Sequence, residues 1–242
     1  MKAMIFAAGL GTRLKPITDT LPKALVPIDG ITLLEHVILK LKNSGFDEII
    51  LNVHHFPDQI INFLHQKKSF GIRIAISDER AMLLDTGGGI KKASRFFDDN
   101  EPFLVHNVDI LSNIDLMALY SNHIINNALA TLVVSERTTH RYLLFDSAKK
   151  LQGWQNIKTS ETKPVQLKDT SCFEKLAFSG IQVLSPAVFD KMKTFPDKFS
   201  IIDFYLSNLH EPIYGYCPDN YKMMDVGKLD TLQEAEKFSR AI

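Results

Sequence analysis

Short apolar runs alternate with amphipathic segments through the first half of the chain, and this alternation constrains the fold more than any other feature. Each apolar run has the length of a buried strand, and each amphipathic segment carries apolar residues at helical spacing. Helices between strands return the chain for right-handed, parallel pairing. We therefore predict an α/β fold with a doubly wound, mostly parallel sheet, with strands at 2–8, 48–53, 72–76, 103–107 and 129–136 and helices at 32–45, 57–67, 88–97 and 114–126.

The second half is less regular and predicts a smaller lobe of mixed structure. No stretch rich in glycine, proline or serine separates it from the first half, so we expect a single domain over 1–242 with halves at 1–136 and 137–242. The pattern predicts a hairpin from 142–145 and 150–154, a polar surface excursion at 155–175, strands at 178–184, 213–217 and 221–225, and helices at 186–193, 200–209 and 229–240.

Charge and composition exclude several classes of protein. The 28 basic residues balance 28 acidic ones, so no global field attracts nucleic acid or an anionic membrane, and we expect neither as a partner. The two cysteines, Cys172 and Cys217, form no pattern typical of a disulfide framework or a metal site. No apolar stretch approaches the roughly 20 residues of a membrane span, and Gly9 interrupts the N-terminal run too early for a secretory signal. We expect a cytoplasmic protein.

The segment after the first predicted strand has the composition of a phosphate-binding loop. It reads Ala-Ala-Gly-Leu-Gly-Thr-Arg, and continues through Pro-Ile-Thr to Pro-Lys-Ala-Leu-Val-Pro. Glycines such as Gly9 and Gly11 allow backbone conformations in which N–H groups approach a phosphate. Arg13 and Lys23 add two cations that can bind phosphate oxygens. The loop therefore predicts a polyphosphate site.

Two common phosphate-binding motifs do not describe this loop. The dinucleotide fingerprint needs a third glycine where Leu14 stands, and Pro16 and Pro22 prevent a helix from opening directly. The P-loop pattern is absent. The longer pattern of Gly-x-Gly-Thr-Arg, Pro-x-Thr and Pro-Lys-x-Leu-x-Pro is more specific, and it resembles the opening of the sugar-1-phosphate nucleotidyltransferases.

This resemblance extends over essentially the whole chain, because later landmarks of the family appear in order. It implies a Rossmann-like fold of the nucleotide-diphospho-sugar transferase (GT-A-like) type, with nucleotide bound by the first half and sugar by the second. It implies that Arg13 contacts the outer phosphates and that Lys23 stabilises the reacting α-phosphate and the incoming sugar phosphate. The loop residues expected to wrap the triphosphate are Ala8, Gly9, Gly11 and Thr12.

Three consecutive glycines follow Asp85 and Thr86, between the third predicted strand and the next helix. Glycines at a helix start can present unshielded amides to a flat ring or an anion. In the related family a glycine-containing loop here contacts the nucleobase, which assigns that role to Thr86, Gly87 and Gly88. The triple glycine with a preceding acid is most similar to the branch that uridylylates N-acetylmuramate-1-phosphate or handles mannose-1-phosphate.

Two aspartates are expected to hold a metal ion. Asp109 follows the fourth predicted strand, and ligands bind at the carboxyl ends of strands in an open parallel sheet. Asp225, in Met-Asp-Val-Gly, resembles the second aspartate of the family, and the resemblance alone pairs it with Asp109. Two carboxylates with substrate phosphates and waters suit Mg²⁺. Val108 stands where the family usually has glycine, and Lys228 where threonine is common.

The expected sugar site departs from the family pattern. Gly153 and Asn156 lie in a segment that resembles the sugar-binding hairpin, but the Glu-Lys pair of many relatives is missing there. Ser179 follows Phe178, where relatives have asparagine, and Asn107 completes the expected sugar contacts. These changes predict a substituted sugar. A neutral Asn156 would not repel an acidic lactyl ether, which favours muramate.

The resemblance implies Mg²⁺-dependent transfer of a nucleoside monophosphate from an NTP to a sugar-1-phosphate, with release of pyrophosphate. UTP with N-acetylmuramate-1-phosphate, a cell-wall sugar, is the favoured pair, and a mannose-1-phosphate guanylyltransferase is the first alternative. A phosphocholine cytidylyltransferase, a metal-dependent glycosyltransferase and a non-catalytic nucleotide-sugar sensor stay open. A single tryptophan argues against an aromatic choline cage. The sequence leaves the oligomeric state, including a homo-oligomer, open.

Overall fold

The computed structural model describes residues 1–167 and 169–242, and most predicted elements form near their expected bounds. The strands are β1 (Lys2–Phe6), β2 (Pro27–Ile28), β3 (Ile31–Thr32), β4 (Glu48–Val53), β5 (Arg73–Asp78), β6 (Phe103–Asn107), β7 (Ile110–Ser112), β8 (Ala130–Ser135), β9 (Arg141–Phe145), β10 (Leu151–Asn156), β11 (Glu161–Lys163), β12 (Glu174–Leu184), β13 (Ile213–Tyr216) and β14 (Met223–Asp225). The helices are α1 (Leu33–Asn43), α2 (Pro57–Gln66), α3 (Asp85–Ala93), α4 (Leu116–Ile125), α5 (Val188–Met192), α6 (Ile201–Ser207) and α7 (Leu232–Ser239).

The order of strands in the main sheet creates a crevice. The order is β11-β10-β9-β12-β6-β1-β4-β5, with β8 pairing with β12 and β13. Strand β1 runs parallel to both β4 and β6, and β4 runs parallel to β5. The chain therefore places β4 and β5 on one side of β1 and later places β6 on the other side of β1. Ligands bind at such a reversal, outside the carboxyl ends of the two strands. The expected α/β fold with a mainly parallel central sheet is confirmed.

The second half continues the same sheet in antiparallel fashion. Strand β12 pairs antiparallel with β6, β8 and β9, and so joins the two halves of the chain. It begins at Glu174, four residues before the predicted start. The predicted surface excursion contains β11, so the expectation of an irregular segment was wrong there. The short strands β2, β3 and β7 were not predicted, whereas β14 lies within the strand expected at 221–225.

Apolar residues on alternate positions of the central strands face two separate cores. In β1, Ala3 and Ile5 pack in one cluster and Met4 in the other, and all three are fully buried. This period of two is the geometry of an extended strand. Because both faces are covered, these strands read as continuous apolar runs rather than alternating ones. Within the described residues, no helix combines the length and apolar character needed to cross a bilayer.

The start of α1 shows half of a capping box. The Thr32 side-chain oxygen accepts the backbone N–H of Glu35 at 3.1 Å. The reciprocal bond does not form, because the Glu35 carboxylate pairs with Lys67 of the neighbouring helix end at 2.9 Å. A single side-chain cap contributes about 1 kcal/mol to helix stability. The cap therefore fixes the start of α1, while Glu35 ties α1 to the end of α2.

The buried His123 predicts a pH dependence of stability. It bonds the hydroxyls of Thr131 and Ser185 at 3.0 Å each, and desolvation lowers its pKa from 6.5 to about 4. The unfolded chain binds the extra proton between these two values, so acidification in that window favours unfolding. This single group should reduce the free energy of unfolding by about 1.4 kcal/mol per pH unit there.

Chemical denaturation of wild type and His123→Asn across this window measures the effect. The wild-type free energy of unfolding should fall more steeply with acidification than that of the variant. Equal slopes would contradict the neutral, buried state of His123. Any loss of stability at neutral pH reports the lost hydrogen bonds instead and does not affect the comparison of slopes.

Candidate active site

A cavity of about 520 Å³ lies at the carboxyl ends of β1 and β6. Its wall includes the loop after β1, the end of β6, the start of α3 and the segment before α6. Many residues of the predicted site line it, namely Ala8, Gly9, Gly11, Thr12 and Thr86 of the nucleotide set, Arg13 and Lys23 of the catalytic set, Asn107 of the sugar set and Asp109 of the metal pair. The reversal of strand order therefore brings these residues together, as expected for an open parallel sheet.

The loop after β1 is held in a defined shape. Gly11 has φ +65°, and a Cβ there would lie 2.8 Å from the Thr18 methyl group. The Thr18 hydroxyl also donates to the Gly11 carbonyl at 2.8 Å. Glycine is needed at Gly11 for both its left-handed backbone and this close approach. The spacing between the glycines and the Pro-x-Thr motif in the sequence therefore allows Thr18 to reach Gly11 and close the loop.

A buried polar pair supports the beginning of this loop, and sequence reasoning missed it. The Asn52 side-chain oxygen accepts the backbone N–H groups of Ala7 at 2.8 Å and Ala8 at 3.3 Å. Its amide donates to the Glu79 carboxylate at 2.8 Å, and Glu79 is fully buried. The Ala8 amide is therefore already paired, although Ala8 lines the cavity. The signal was present, since Asn52 interrupts an otherwise apolar strand.

Lys23 and Asp109 form an ion pair on the floor of the cavity. The Lys23 Nζ donates to Asp109 Oδ2, and the Lys23 side chain is only 10% exposed. Two prolines and a short 3₁₀ turn (Lys23–Leu25) return the chain to this position from the first loop. Val108, which stands where the family usually has glycine, packs in a core cluster and also lines the cavity next to Asp109. Valine at this position therefore does not keep Asp109 out of the cavity wall.

Backbone pairing brings Asp225 to Asp109. Strand β14 pairs antiparallel with β7, and the Val226 N–H donates to the Asp109 carbonyl at 2.8 Å. Asp225 is exposed on one side, yet desolvation by neighbouring atoms and then the Asp109 charge raise the pKa of its carboxyl. Mutual repulsion between two carboxylates is what a divalent cation relieves. The pair that resemblance alone predicted is therefore adjacent in space, although Asp225 is not among the described residues that line the cavity.

Gly227 provides the space for Arg13. A Cβ on Gly227 would lie 2.6 Å from the Arg13 guanidinium and 2.6 Å from Asp225 Oδ1. Gly227 lines the cavity with Arg13, so the guanidinium lies between the first loop and the end of β14. In the sequence, Gly227 is recognisable only as part of the Met-Asp-Val-Gly motif. The absence of a side chain there leaves room for the Arg13 guanidinium and for the Asp225 carboxylate.

The triple glycine does not present free amides, and that expectation was wrong. Helix α3 begins at Asp85, so the glycines lie inside its first turns. The N–H groups of Gly87 and Gly88 both donate to the Phe199 carbonyl, at 2.9 and 3.2 Å. A Cβ on Gly88 would lie 2.0 Å from the Asp197 carbonyl oxygen. These glycines allow two backbones to pack closely, and neither lines the cavity.

The predicted sugar residues are only partly brought together. Asn107 lines the cavity and packs against Gly180, where a Cβ would lie 2.6 Å from the Asn107 side-chain nitrogen. Ser179, the residue before Gly180 in β12, is buried, and its hydroxyl has no hydrogen-bond partner within the described ranges. Gly153 instead packs against the Lys163 carbonyl, and Asn156 accepts the backbone N–H two residues further on. Neither of these two residues lines the cavity.

Comparison with known proteins identifies the family. The model of the nucleotidyl transferase family matches residues 2–241. The chain belongs to this family. It is 34% identical over 191 residues to the N-acetylmuramate alpha-1-phosphate uridylyltransferase of Neisseria meningitidis serogroup B, with 78% of each chain covered. It is 30% identical over 233 residues to the mannose-1-phosphate guanyltransferase of Yarrowia lipolytica, covering 94% of this chain and 61% of that longer protein.

A solved structure shows the same fold. The crystal structure of HddC from Yersinia pseudotuberculosis complexed with GMP-PN superimposes with a TM-score of 0.78, covers 98% of both chains and is 21% identical. At this identity the likeness concerns the fold alone. Together with the family match, it confirms the sequence-based resemblance to nucleotidyltransferases and their fold.

The position of Gly227 in this nucleotidyl transferase gives a test of the site. In Gly227→Ala the new methyl group should displace the Arg13 guanidinium and weaken binding of the nucleoside triphosphate by at least about 10-fold, the loss expected for one charged hydrogen bond. Isothermal titration calorimetry measures the affinity, and the exposed neighbour in Lys228→Ala serves as the control. Unchanged affinity in a folded Gly227→Ala variant would contradict the placement of Arg13.

Proposed function

We propose that this nucleotidyl transferase transfers uridine monophosphate from UTP to N-acetylmuramate-1-phosphate and releases pyrophosphate. The observation that carries the proposal is the convergence of two cations and one carboxylate at a single cavity, with a second carboxylate beside it. Arg13 and Lys23 line it, Asp109 pairs with Lys23, and Asp225 is joined to Asp109 through the β7–β14 pairing. This arrangement suits a reaction between polyanions, because the cationic groups offset the repulsion between the two substrates and stabilise negative charge in the transition state.

The chemistry requires no covalent intermediate with the protein. A phosphate oxygen of the sugar-1-phosphate attacks the α-phosphorus of the triphosphate in line, the new P–O bond forms, and the bond to the pyrophosphate leaving group breaks. The attacking oxygen is already anionic, so no general base is needed. Lys23 holds the α-phosphate and the incoming phosphate, and Arg13 holds the outer phosphates. Their contribution is positioning and stabilisation of charge in the transition state.

Asp109 and Asp225 fit the role of Mg²⁺ ligands. They supply hard oxygen donors next to the cavity, and the raised pKa of Asp225 reflects in part the negative charge of Asp109. When bound, Mg²⁺ neutralises phosphate charge and fixes the geometry of the triphosphate. Lys23 occupies one oxygen of Asp109 in this state, so it would shift toward the phosphates as the substrates bind. The side chain can do so because its stem is flexible.

The choice of substrates rests on the relatives and on the sugar-binding half. The Neisseria meningitidis relative, 34% identical, bears the name of the proposed activity. Asn156 and Phe178 stand where the family carries polar or acidic contacts to an unsubstituted hexose, which favours a substituted sugar. Guanylyl transfer to mannose-1-phosphate is the second candidate, because the Yarrowia lipolytica relative of that name aligns over 94% of this chain.

A matrix of substrates tests the proposal. Pyrophosphate release is measured with Mg²⁺ while UTP, GTP, CTP and dTTP are each combined with N-acetylmuramate-, N-acetylglucosamine-, mannose- and glucose-1-phosphate and with phosphocholine. The proposal predicts the highest turnover with UTP and N-acetylmuramate-1-phosphate. The highest turnover with GTP and mannose-1-phosphate would favour the second candidate. Release with no pair, from folded protein that binds nucleotide, would contradict both.

Removal of the charged pair should abolish most of the activity. In Lys23→Ala and Asp109→Ala we expect turnover to fall by at least about 10²-fold, the scale for losing one group that stabilises the transition state. Lys15→Ala and Asp19→Ala are the matched controls, because these residues form an exposed ion pair at 2.9 Å in the same loop outside the cavity lining. Turnover close to wild type in both folded Lys23 and Asp109 variants would contradict the proposed roles.

A further inference from the structure

The third glycine of the run in α3 faces two buried polar side chains. A Cβ on Gly89 would lie 2.9 Å from Glu79 Oε1 and 3.2 Å from Asn52 Nδ2. Both side chains are buried, and both residues line the cavity. The absence of a side chain at Gly89 therefore leaves room for a carboxylate and an amide behind the cavity wall. The proposed reaction uses neither group.

Hydrogen bonds connect the Glu79 carboxylate to two walls of the cavity. Its Oε1 accepts the Asn52 amide at 2.8 Å, and its Oε2 accepts the N–H of Leu84, the residue before α3, at 3.2 Å. The Asn52 oxygen in turn accepts the N–H groups of Ala7 and Ala8, where the first loop begins. One buried carboxylate thus joins the first loop to the start of α3.

The backbone donors determine which way round the Asn52 amide lies. Backbone N–H groups only donate, so the Asn52 atom that faces Ala7 and Ala8 is the oxygen. Its NH₂ group then faces Glu79, which has to accept there. The Leu84 N–H makes the same demand on the second oxygen of Glu79. Both oxygens are therefore acceptors, which is the role of an ionised carboxylate.

Glu79 carries this charge without an ion-pair partner. Within residues 1–167 and 169–242, no basic nitrogen lies within 4.0 Å of its carboxylate oxygens. The charged groups that act on it are Lys92 of α3 and His54, whose ring Nδ1 contacts the Glu79 carbonyl at 2.7 Å. Burial raises the pKa of Glu79, and the hydrogen bonds from Asn52 and Leu84 offset part of this effect. Glu79 therefore takes up a proton more readily than an exposed glutamate does.

A proton on Glu79 would reverse the demand on Asn52. The protonated carboxyl carries an O–H donor, whereas both groups bonded to the carboxylate are themselves donors. Of these two groups, only Asn52 can present an oxygen, by turning its amide over. That turn would remove the oxygen from Ala7 and Ala8 and leave their N–H groups unpaired, which is costly for buried groups. Protonation of Glu79 would thus release the beginning of the first loop.

We propose that Glu79 is a positioning residue for nucleotide binding, whose ionised carboxylate holds the first loop and the start of α3 at one spacing. It acts through Asn52 and Leu84, and Gly89 leaves the space that it occupies. The inference rests on the proposed function only in that the triphosphate of the nucleotide binds at the first loop. It implies that nucleotide affinity falls on acidification, as Glu79 takes up a proton.

Nucleotide binding without sugar phosphate tests the inference independently of turnover. Calorimetric titration uses the Mg²⁺ complex of whichever of UTP, GTP, CTP and dTTP binds most tightly to wild type. In Glu79→Gln an amide N–H must face another donor, so affinity at neutral pH should fall by at least about 10-fold, the effect of losing one charge-assisted hydrogen bond.

The pH dependence of binding separates positioning from a purely structural role. On acidification the affinity of wild type should fall more steeply than that of Glu79→Gln, because the variant has no carboxylate to protonate at this position. His54, Lys92 and the triphosphate are present in both titrations, so their own proton binding cancels in the comparison.

A second variant keeps the test independent of the stability of Glu79→Gln. In Gly89→Ala the new methyl group should push the flexible end of Glu79 away from Asn52 and weaken nucleotide binding by at least about 3-fold. The fold should persist, because alanine favours a helix more than glycine does.

His123→Asn is the matched control. It removes hydrogen bonds to two hydroxyls from a buried side chain outside the cavity lining. Its nucleotide affinity at neutral pH should equal that of wild type, even where its melting temperature is lower. A general loss of stability therefore does not reproduce the expected effect of the Glu79 and Gly89 variants.

The outcomes separate this inference from the proposed function. Wild-type affinity in folded Glu79→Gln and Gly89→Ala would overturn the role of Glu79, as would equal pH dependence in wild type and Glu79→Gln, even if uridylyl transfer is observed. If Glu79→Gln does not fold, the affinity of Gly89→Ala decides alone. Conversely, nucleotide affinity that depends on Glu79 would support the inference even if no sugar phosphate yields pyrophosphate, and only the proposed transfer would then be contradicted.

Discussion

The contact between Lys23 and Asp109 is the interaction on which the rest of the site depends. A lysine that is nine-tenths buried is costly without a counter-charge, and Asp109 at the end of β6 supplies it. The first loop must therefore curl back across the sheet through its 3₁₀ turns to deliver Lys23. The Asp109 backbone in turn holds Val226, and through it Asp225. One ion pair thus links the phosphate-binding loop to both candidate metal ligands.

Different interactions support the two walls of the cavity: side-chain hydrogen bonds on one side and close backbone packing on the other. On the side of β1, the buried Asn52 and Glu79 hold the beginning of the first loop, and burial raises the pKa of Glu79. On the side of α3, Gly87 and Gly88 allow the segment around Phe199 to pack against the helix start. Rigid support of this kind is what a site needs when catalysis comes from positioning and electrostatics. The fold supplies it from buried polar side chains and from glycines at a helix start.

Much of this architecture follows from local patterns in the sequence. The strand and helix periods predicted the central sheet, and the Gly-x-Gly-Thr-Arg loop predicted the residues at its edge. The β7–β14 pairing could not be predicted, although a strand was expected at 221–225, because the three residues of β7 carry no periodic signal and the contact spans much of the chain. The role of Gly87 and Gly88 was misread for a related reason. A glycine's local freedom is visible in the sequence, whereas the distant Phe199 carbonyl that approaches it is not.

Binding of a divalent cation tests whether Asp109 and Asp225 form one metal site, because only tertiary structure brings these two residues together. Mn²⁺, which accepts the same oxygen ligands as Mg²⁺, can be followed by electron paramagnetic resonance in the presence of a non-hydrolysable UTP analogue. We expect Asp109→Asn and Asp225→Asn each to weaken Mn²⁺ binding by at least about 10-fold, and Asp19→Asn to leave it unchanged. Wild-type Mn²⁺ affinity in both folded site variants would contradict the assignment of Asp109 and Asp225 as metal ligands.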